Sequence, residues 1–120
     1  MKKFFTLTAL CLLSLCAFSQ AADVVVIPIK GEISEAQFLF LRRALKEAES
    51  QNAKAVILDM DTPGGSIDAC KEMTQALEQV DQSHLRTITY VHPNANSAGA
   101  LIALATSSST SLHQTQPAPR

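Results

Sequence analysis

Two short stretches decide the fold, and they share one pattern: an apolar run, a loop of small residues, and then a helix. They read Ala55-Val-Ile-Leu-Asp-Met-Asp-Thr-Pro-Gly-Gly65 and Arg86-Thr-Ile-Thr-Tyr-Val-His-Pro-Asn-Ala-Asn-Ser-Ala-Gly99. The β-branched and aliphatic runs predict buried strands at 55–60 and 86–91. Ligands of open α/β sheets bind beyond the carboxyl ends of strands. Both loops are therefore candidate functional loops.

The flanking segments complete an alternation of strands and helices. Residues 24–29 predict a strand, with Pro28 at an edge or a strand end. A capping box of Ser34 and Gln37 predicts the start of the first helix. A second helix is expected over about 66–80, a loop over 93–96, and a helix buried on every side over 98–105. The order β-α-β-α-β-α predicts a parallel sheet with right-handed crossovers.

Helical spacing of apolar residues predicts which faces of the first two helices are buried. The expected inward positions are Phe38, Leu41, Leu45 and Ala48 on the first helix, and Ile67, Cys70, Met73, Leu77 and Val80 on the second.

The composition narrows the class of protein. The chain has 120 residues, a net charge of -1 and 47% hydrophobic residues, which fits one globular domain at most. Nothing in this charge balance points to a nucleic-acid partner. No metal-ligand cluster and no cofactor motif is evident, so we expect neither a metal site nor a cofactor.

The first 21 residues are predicted to be a signal peptide. Lys2 and Lys3 precede an uncharged apolar run, and Ser19-Gln20-Ala21 supplies small residues before the expected cleavage point. An uncleaved anchor helix is the main alternative, and a lipoprotein signal at Cys16 is a weaker one. The protein is therefore expected to be exported, and to be periplasmic or membrane-associated in the bacterial envelope.

Cleavage would leave Cys70 as the only cysteine. A single cysteine forms neither an intramolecular disulfide nor a cysteine-rich zinc site. Because Cys70 falls on the apolar stripe of a predicted helix, we expect it to pack as a small hydrophobic residue.

Each of the two loops has a structural and a functional interpretation. Pro63, Gly64 and Gly65 allow a tight turn that presents unhindered N–H groups near a helix start, although Pro-Gly-Gly also occurs in plain turns. Ser97 is a candidate nucleophile among small neighbours, but a serine before a helix is more simply an N-cap. Taken singly, each loop favours the structural interpretation.

Together, the two loops resemble the ClpP/crotonase superfamily, and within it the NfeD-type membrane serine peptidases related to signal peptide peptidase A. The matching segments are Val26-Ile-Pro-Ile-Lys-Gly-Glu-Ile33, Leu58-Asp-Met-Asp-Thr-Pro-Gly-Gly65 and Tyr90-Val-His-Pro-Asn-Ala-Asn-Ser-Ala-Gly-Ala-Leu-Ile-Ala-Leu-Ala105. The resemblance covers about residues 24–106. It implies a ClpP/crotonase-like parallel β-α-β spiral fold, here truncated, over residues 22–106.

The resemblance also implies roles for particular residues. Ser97 occupies the nucleophile position, and the N–H groups of Gly65 and Ala98 would form the oxyanion hole. Pro63, Gly64 and Gly99 would belong to the substrate loops. The family pairs its serine with a lysine base from further along the chain, and a buried lysine of lowered pKa can deprotonate a serine hydroxyl.

The sequence departs from that family pattern at the base. No lysine follows Lys71, and neither Lys54 nor Lys71 matches the base position. His84 and His92 both precede Ser97 and are more simply surface or loop residues. We therefore expect the chain as written to be marginally stable and essentially inactive, with the last strand of its sheet missing.

The tail, residues 107–120, breaks the pattern of the preceding domain. It is rich in Ser, Thr, Gln and Pro and lacks periodicity, which predicts disorder. If its serines are encoded by TCN codons, a reading frame moved back by one base would replace them with apolar residues and allow a family-like strand. The tail is therefore either a frameshift product or a genuine low-complexity end.

Three functions follow from this reading of the sequence. The first is a serine endopeptidase domain that cleaves peptides or membrane proteins. The second is a non-catalytic fragment or pseudoenzyme that binds a peptide or a membrane partner, and homo-oligomers are a further possibility implied by the superfamily. The third, an acyl-CoA site, conflicts with the export signal because CoA is cytosolic.

Overall fold

The structure, a computed structural model, describes residues 23–111. The predicted signal peptide and the tail beyond residue 111 lie outside these residues. The described elements are β1 (Val24–Lys30), α1 (Glu35–Ser50), β2 (Ala55–Thr62), α2 (Ile67–Asp81), β3 (Arg86–Ala95), α3 (Ala98–Leu104) and β4 (Ser108–Ser111). The predicted alternation of strands and helices is confirmed.

The four strands form one parallel sheet in the order β1-β2-β3-β4. Its register places Val26 beside Ile57, Ile57 beside Ile88, and Ile88 beside Ser108. Since all strands run in one direction, the loops after β2 and β3 leave the sheet at the same end. Pro28 lies in β1 at the sheet edge, as predicted.

The core lies between one face of the sheet and the helices. Alternate residues of β2 are fully buried, as the period of two in a strand requires. They meet the apolar stripes of the helices. The buried positions are Val56, Leu58, Met60 and Thr62 of β2, Leu41, Leu45 and Ala48 of α1, and Ala69, Cys70, Met73, Leu77 and Val80 of α2. No helix within residues 23–111 is long and apolar enough to cross a bilayer.

Only half of the predicted capping box forms. The Ser34 hydroxyl accepts a hydrogen bond from the Gln37 N–H at 3.4 Å, so Ser34 caps α1. The Gln37 side chain donates instead to the Lys30 carbonyl at the end of β1. This contact fixes the β1–α1 connection rather than the first turn of the helix.

Two burial predictions are wrong at helix positions near the sheet ends. Ile67 is 71% exposed because it is the first residue of α2 and lies at the open end of the helix. Leu101 and Leu104 of α3 are 60% and 76% exposed, so α3 is buried on one side rather than on every side. The helix also ends one residue earlier than predicted, at Leu104.

β3 is longer than the sequence indicated. The predicted loop over residues 93–96 is wrong, because the strand continues to Ala95, which pairs with Thr62 after an irregularity in the register. Pairing with the end of β2 extends the strand through a segment whose Pro and Asn residues are typical of turns. β3 therefore ends immediately before Asn96 and Ser97.

The start of the tail is a strand, not a disordered segment. Ser108–Ser111 forms β4 and pairs with Ile88–Val91. The fourth strand that we expected to be missing is therefore present, although it is short. The remainder of the tail lies outside the described residues, and the frameshift hypothesis remains a prediction.

Buried hydroxyl groups anchor β4 to β3. Thr89 and Thr106 share a hydrogen bond at 3.1 Å, and Thr106 also donates to the Ala103 carbonyl at 2.7 Å. The Ser107 N–H donates to the Thr87 hydroxyl at 3.2 Å. Buried hydroxyl groups need such partners, so Thr87 and Thr89 favour a neighbouring segment that carries hydroxyl groups of its own. The composition of the tail alone had predicted disorder there.

Candidate active site

Ser97 occupies a strained position between β3 and α3. Its backbone has φ 49° and ψ -116°, a conformation that side-chain-bearing residues rarely adopt. Such conformations cost on the order of 1–3 kcal/mol and persist only where the surrounding structure enforces them. A serine on a sharp strand-to-helix turn, with an exposed side chain, matches the geometry of a nucleophile elbow.

The hydroxyl of Ser97 does not cap α3, although Ser97 is the residue at the N-cap position. The Gly99 N–H donates to the Asn96 carbonyl at 2.9 Å, and the Ala100 N–H donates to the Ser97 carbonyl at 3.0 Å. Backbone carbonyls thus accept from two N–H groups of the first turn, those of Gly99 and Ala100. The N-cap interpretation of Ser97 finds no supporting hydrogen bond, and the hydroxyl is free for another role.

The Pro-Gly-Gly loop lies directly against Ser97. A Cβ atom on Gly64 would be 2.9 Å from the Ser97 Cβ and 3.2 Å from the Asn96 carbonyl oxygen. The φ of Gly64 is 107°, which also favours glycine. The structure therefore brings together the two loops that the sequence singled out.

The N–H of Gly65 points away from its nearest backbone neighbour. Ile33 donates to the Gly64 carbonyl at 2.9 Å and accepts from the Ser66 N–H at 2.8 Å, a parallel bridge centred on Gly65. In such a bridge the central residue directs its own N–H to the opposite side. No acceptor for this N–H is found among residues 23–111. It is available to an external oxygen.

The N–H of Ala98 is similarly free. Ala98 is the first residue of α3, and no hydrogen bond from its N–H is found within the described part of the chain. The next residue, Gly99, packs against Thr62, and a Cβ atom at Gly99 would overlap the Thr62 methyl group. Close packing of α3 on the end of β2 therefore fixes the position of Ala98 beside Ser97.

Thr62 is a site-supporting residue that the sequence reasoning missed. Its side chain is fully buried, and its hydroxyl accepts from the Gly64 N–H at 3.1 Å. Its carbonyl accepts from the Asn96 N–H at 3.1 Å. Thr62 thus holds both loops. The sequence could have predicted this role, because Thr62 lies at an inward position at the end of a buried strand, just before Pro-Gly-Gly. A polar side chain at such a position needs a hydrogen-bond partner.

No described side chain forms a hydrogen bond with the Ser97 hydroxyl. Lys54 lies at the start of β2, at the other end of the sheet, and forms an ion pair with Asp23 at 2.9 Å. Lys71 is exposed on α2, and His84 precedes β3. His92 is exposed on β3, where its ring centroid is 6.3 Å from that of Tyr90. Within residues 23–111, the exposed Ser97 hydroxyl therefore lies beside two N–H groups without an internal acceptor, and no basic side chain contacts it.

The other reactive side chains of residues 23–111 do not form a metal-ligand cluster. These residues contain no group of three His, Cys, Asp or Glu side chains placed to hold a metal ion. Cys70 is buried, and its thiol donates to the Ala98 carbonyl at 3.5 Å. As predicted, it packs in the core, where it joins α2 to the start of α3.

The sheet, the two site loops and the strained serine define a protease-like domain of ClpP type. Solved structures agree. The structure matches the 1510-N membrane protease of Pyrococcus horikoshii, specific for a stomatin homologue, with a TM-score of 0.61 and 40% identity over 69% of this chain and 42% of that chain. A serine-to-alanine mutant of the stomatin-specific 1510-N protease matches with a TM-score of 0.67 and 33% identity, over 75% of this chain and 44% of that chain.

A lysine-to-alanine mutant of 1510-N, in complex with a substrate peptide, matches equally well, with a TM-score of 0.67, 34% identity, and coverage of 75% of this chain and 41% of that chain. ClpP1 from Listeria monocytogenes shares the fold, with a TM-score of 0.61 at 20% identity over 68% of this chain and 46% of that chain.

The chain belongs to the family of NfeD1b N-terminal domains, whose family model matches residues 23–116. The resemblance stated from the sequence is thereby confirmed. The membrane-bound protease PH1510 of Pyrococcus horikoshii is 40% identical over 84 residues, covering 68% of this chain and 18% of that protein. The membrane protein NfeD1b of Bacillus subtilis is 34% identical over 88 residues, covering 73% of this chain and 20% of that protein.

Proposed function

We propose that this domain carries the nucleophile of an NfeD-type serine endopeptidase that cleaves membrane-associated polypeptides. Ser97 is the nucleophile, and the N–H groups of Gly65 and Ala98 form the oxyanion hole. The observation that carries the proposal is the strained, exposed and non-capping conformation of Ser97 beside two free N–H groups. The matched relatives are a stomatin-specific protease and membrane proteins, which supports this substrate class and an envelope location.

The chemistry proposed for the site is acyl transfer. The Ser97 oxygen attacks a peptide carbonyl, and its proton passes to a base while the carbonyl oxygen gains negative charge. Two N–H donors aimed at that oxygen stabilise the charge, and removing one such donor typically costs about 3–4 kcal/mol. Pro63 and Gly64 place no bulky side chain against Ser97. Gly99, which was expected in a substrate loop, faces Thr62 in the core instead and lets α3 pack closely on β2.

The lysine base that the resemblance implies has no counterpart in these 120 residues. The relative solved with a substrate peptide bears an alanine in place of a lysine, while no lysine follows Lys71 here. Without a base, a serine hydroxyl is a weak nucleophile at neutral pH. We expect the isolated chain to hydrolyse peptides slowly or not at all.

The absence of a base in contact with Ser97 among residues 23–111 also supports a second function. A domain with an open site and no base in contact with Ser97 can hold a peptide or a membrane partner without cleaving it. The two functions differ in what Ser97 does: peptide binding alone tolerates its replacement, while acyl transfer does not.

A cysteine substitution tests the nucleophile position without requiring the missing base. A thiol ionises near pH 8.5, so Ser97→Cys supplies its own nucleophile, and it is the only thiol when Cys11, Cys16 and Cys70 are replaced by alanine. Its acylation by the p-nitrophenyl ester of an N-acylated leucine is followed as a release of nitrophenolate. The matched control is Ser66→Cys, which puts a thiol at the start of α2 after the preceding strand and loop.

The oxyanion hole is expected to accelerate acylation at position 97 alone. We expect the Ser97→Cys thiol to react roughly 100-fold faster than the Ser66→Cys thiol at equal thiolate concentration, with one equivalent of nitrophenolate per chain. Equal rates would mean that no donor pair acts at Ser97, and the peptide-holding function would then be favoured.

A further inference from the structure

The side chain of Glu32 lies against the loop that supplies one N–H group of the proposed oxyanion hole. Its Cγ atom is 2.9 Å from the place that a Cβ atom on Gly65 would occupy. Because Gly65 has no side chain, the apolar stem of Glu32 contacts its backbone directly. The carboxyl carbon, one bond beyond Cγ, therefore lies close to Gly65.

Backbone hydrogen bonds on both sides of Glu32 fix its position. The Gly31 N–H donates to the Asp61 carbonyl at 2.9 Å, and the Ile33 N–H donates to the Gly64 carbonyl at 2.9 Å. The first bond reaches β2 and the second reaches the Pro-Gly-Gly loop. Glu32 is thus held between the end of the sheet and the site loop, so its nearness to Gly65 is a property of the fold.

The Glu32 carboxylate has no cationic partner in the described part of the chain. Glu32 is exposed, and the neighbouring Lys30 is paired with Asp59 at 2.8 Å. Glu35 and Asp68 lie in the first turns of α1 and α2, where the helix dipole favours negative charge. Glu32 precedes α1 and its cap, so the dipole of that helix gives no such reason for a carboxylate there.

An unpaired carboxylate beside Gly65 affects the proposed reaction. Negative charge develops on the substrate carbonyl oxygen that accepts from the Gly65 N–H, and like charges repel each other. Glu32 therefore opposes the reaction unless the substrate brings a positive charge. The substrate residue nearest to Glu32 is the one whose carbonyl oxygen accepts from Gly65.

We infer that Glu32 determines specificity and favours lysine or arginine as the substrate residue that contributes the scissile carbonyl. This role rests on the proposed function, because Gly65 is an oxyanion donor only if Ser97 is the nucleophile. Pairs of exposed charges are weak, so the expected preference over an uncharged residue is roughly threefold to fivefold. Salt screens such pairs and should reduce the preference.

Three esters that differ in charge test the role of Glu32. The p-nitrophenyl esters of N-acetyl-lysine, N-acetyl-norleucine and N-acetyl-glutamate react at pH 7 with the full chain carrying Ser97→Cys as its only cysteine. The thiolate sulfur bonds to the acyl carbon, and nitrophenolate leaves with the electron pair of the broken C–O bond. Each rate is divided by that of a neutral free thiol, which removes the intrinsic reactivity of the ester.

The substitutions Glu32→Gln and Glu32→Lys should change the order of the three rates. With Glu32 present, we expect the lysine ester to react fastest and the glutamate ester slowest. Glu32→Gln should slow the lysine ester and accelerate the other two, and Glu32→Lys should make the glutamate ester fastest. The matched control Glu47→Gln removes the same charge near the far end of α1 and should keep the original order.

The possible outcomes distinguish this role from the proposed function. If Ser97→Cys reacts faster than Ser66→Cys but the order of the esters is the same in Glu32→Gln, or is lost equally in Glu47→Gln, Glu32 has no part in specificity and the proposed function stands. If no ester reacts faster at position 97 than at position 66, both fall. Circular dichroism of each variant establishes that a changed rate does not reflect a changed fold.

Discussion

Two serines occupy the same place in consecutive strand-loop-helix units and behave differently. Ser66 precedes α2 with φ -59° and ψ 128°, and its hydroxyl accepts from the Ala69 N–H at 3.3 Å. Ser97 precedes α3 with φ 49° and ψ -116°, and its hydroxyl makes no capping bond. Ser34, which precedes α1, caps its helix as Ser66 does. Residue type and position do not distinguish these serines, but their backbones do.

The comparison with Ser66 shows which contacts hold the Ser97 backbone in its strained conformation. The Gly64 backbone lies so close that a methyl group there would contact the Ser97 side chain, and Thr62 bonds to Asn96 just before it. Packing of the two loops therefore holds Ser97 at a positive φ, which serine does not prefer on its own. Ser66, whose N–H donates to the Ile33 carbonyl, takes the ordinary capping geometry. Strain at one serine and capping at another are thus separate, measurable contributions to stability.

The largest effect is expected from Gly64→Ala, which pushes directly on Ser97. The added methyl group meets the Ser97 Cβ and the Asn96 carbonyl, and φ 107° is unfavourable for alanine. We expect the free energy of unfolding in urea to fall by about 2–4 kcal/mol.

Gly31→Ala is the matched control for Gly64→Ala. Gly31 has φ 81° but no atom within 4 Å of an added Cβ, so its replacement should cost about 1–2 kcal/mol through backbone strain alone. Equal losses for the two variants would show that Gly64 does not press on Ser97.

A smaller effect is expected from removing the caps. Ser66→Ala and Ser34→Ala each delete a hydroxyl that accepts a backbone N–H of the first helical turn. Each should lower the free energy of unfolding by about 1 kcal/mol. Threonine at either position preserves the hydroxyl and should recover most of the loss, which separates capping from packing.

The smallest effect on stability is expected at Ser97 itself. Ser97→Ala removes no capping bond and should change the free energy of unfolding by less than about 0.5 kcal/mol. Ser97→Gly relieves the positive φ and should raise it by up to about 1 kcal/mol. A loss of 1 kcal/mol or more in Ser97→Ala would show that the hydroxyl is a structural cap.

The sequence predicted the alternation of strands and helices, because β-branched runs and helical spacing have local causes. The meeting of the two loops was implied by the family resemblance. The sequence did not predict that Ser97 would leave its hydroxyl free, since that depends on contacts with Gly64, 33 residues earlier. It also missed β4. A run of Ser and Thr carries no apolar pattern that would predict a strand. The buried hydroxyls of Thr87 and Thr89 bond to Ser107 and Thr106, just before β4, and hold this segment beside β3.

The central claim is that the Ser97 site is complete except for a base, and chemical rescue tests it most directly. Cleavage of an apolar membrane-segment peptide by the purified protein is measured at pH 9–10 with increasing concentrations of small alkylamines. We predict no cleavage without amine, saturable cleavage with it, and none at any amine concentration in Ser97→Ala. Amine-dependent cleavage that survives in Ser97→Ala, or its absence in the unmodified protein, would contradict the claim.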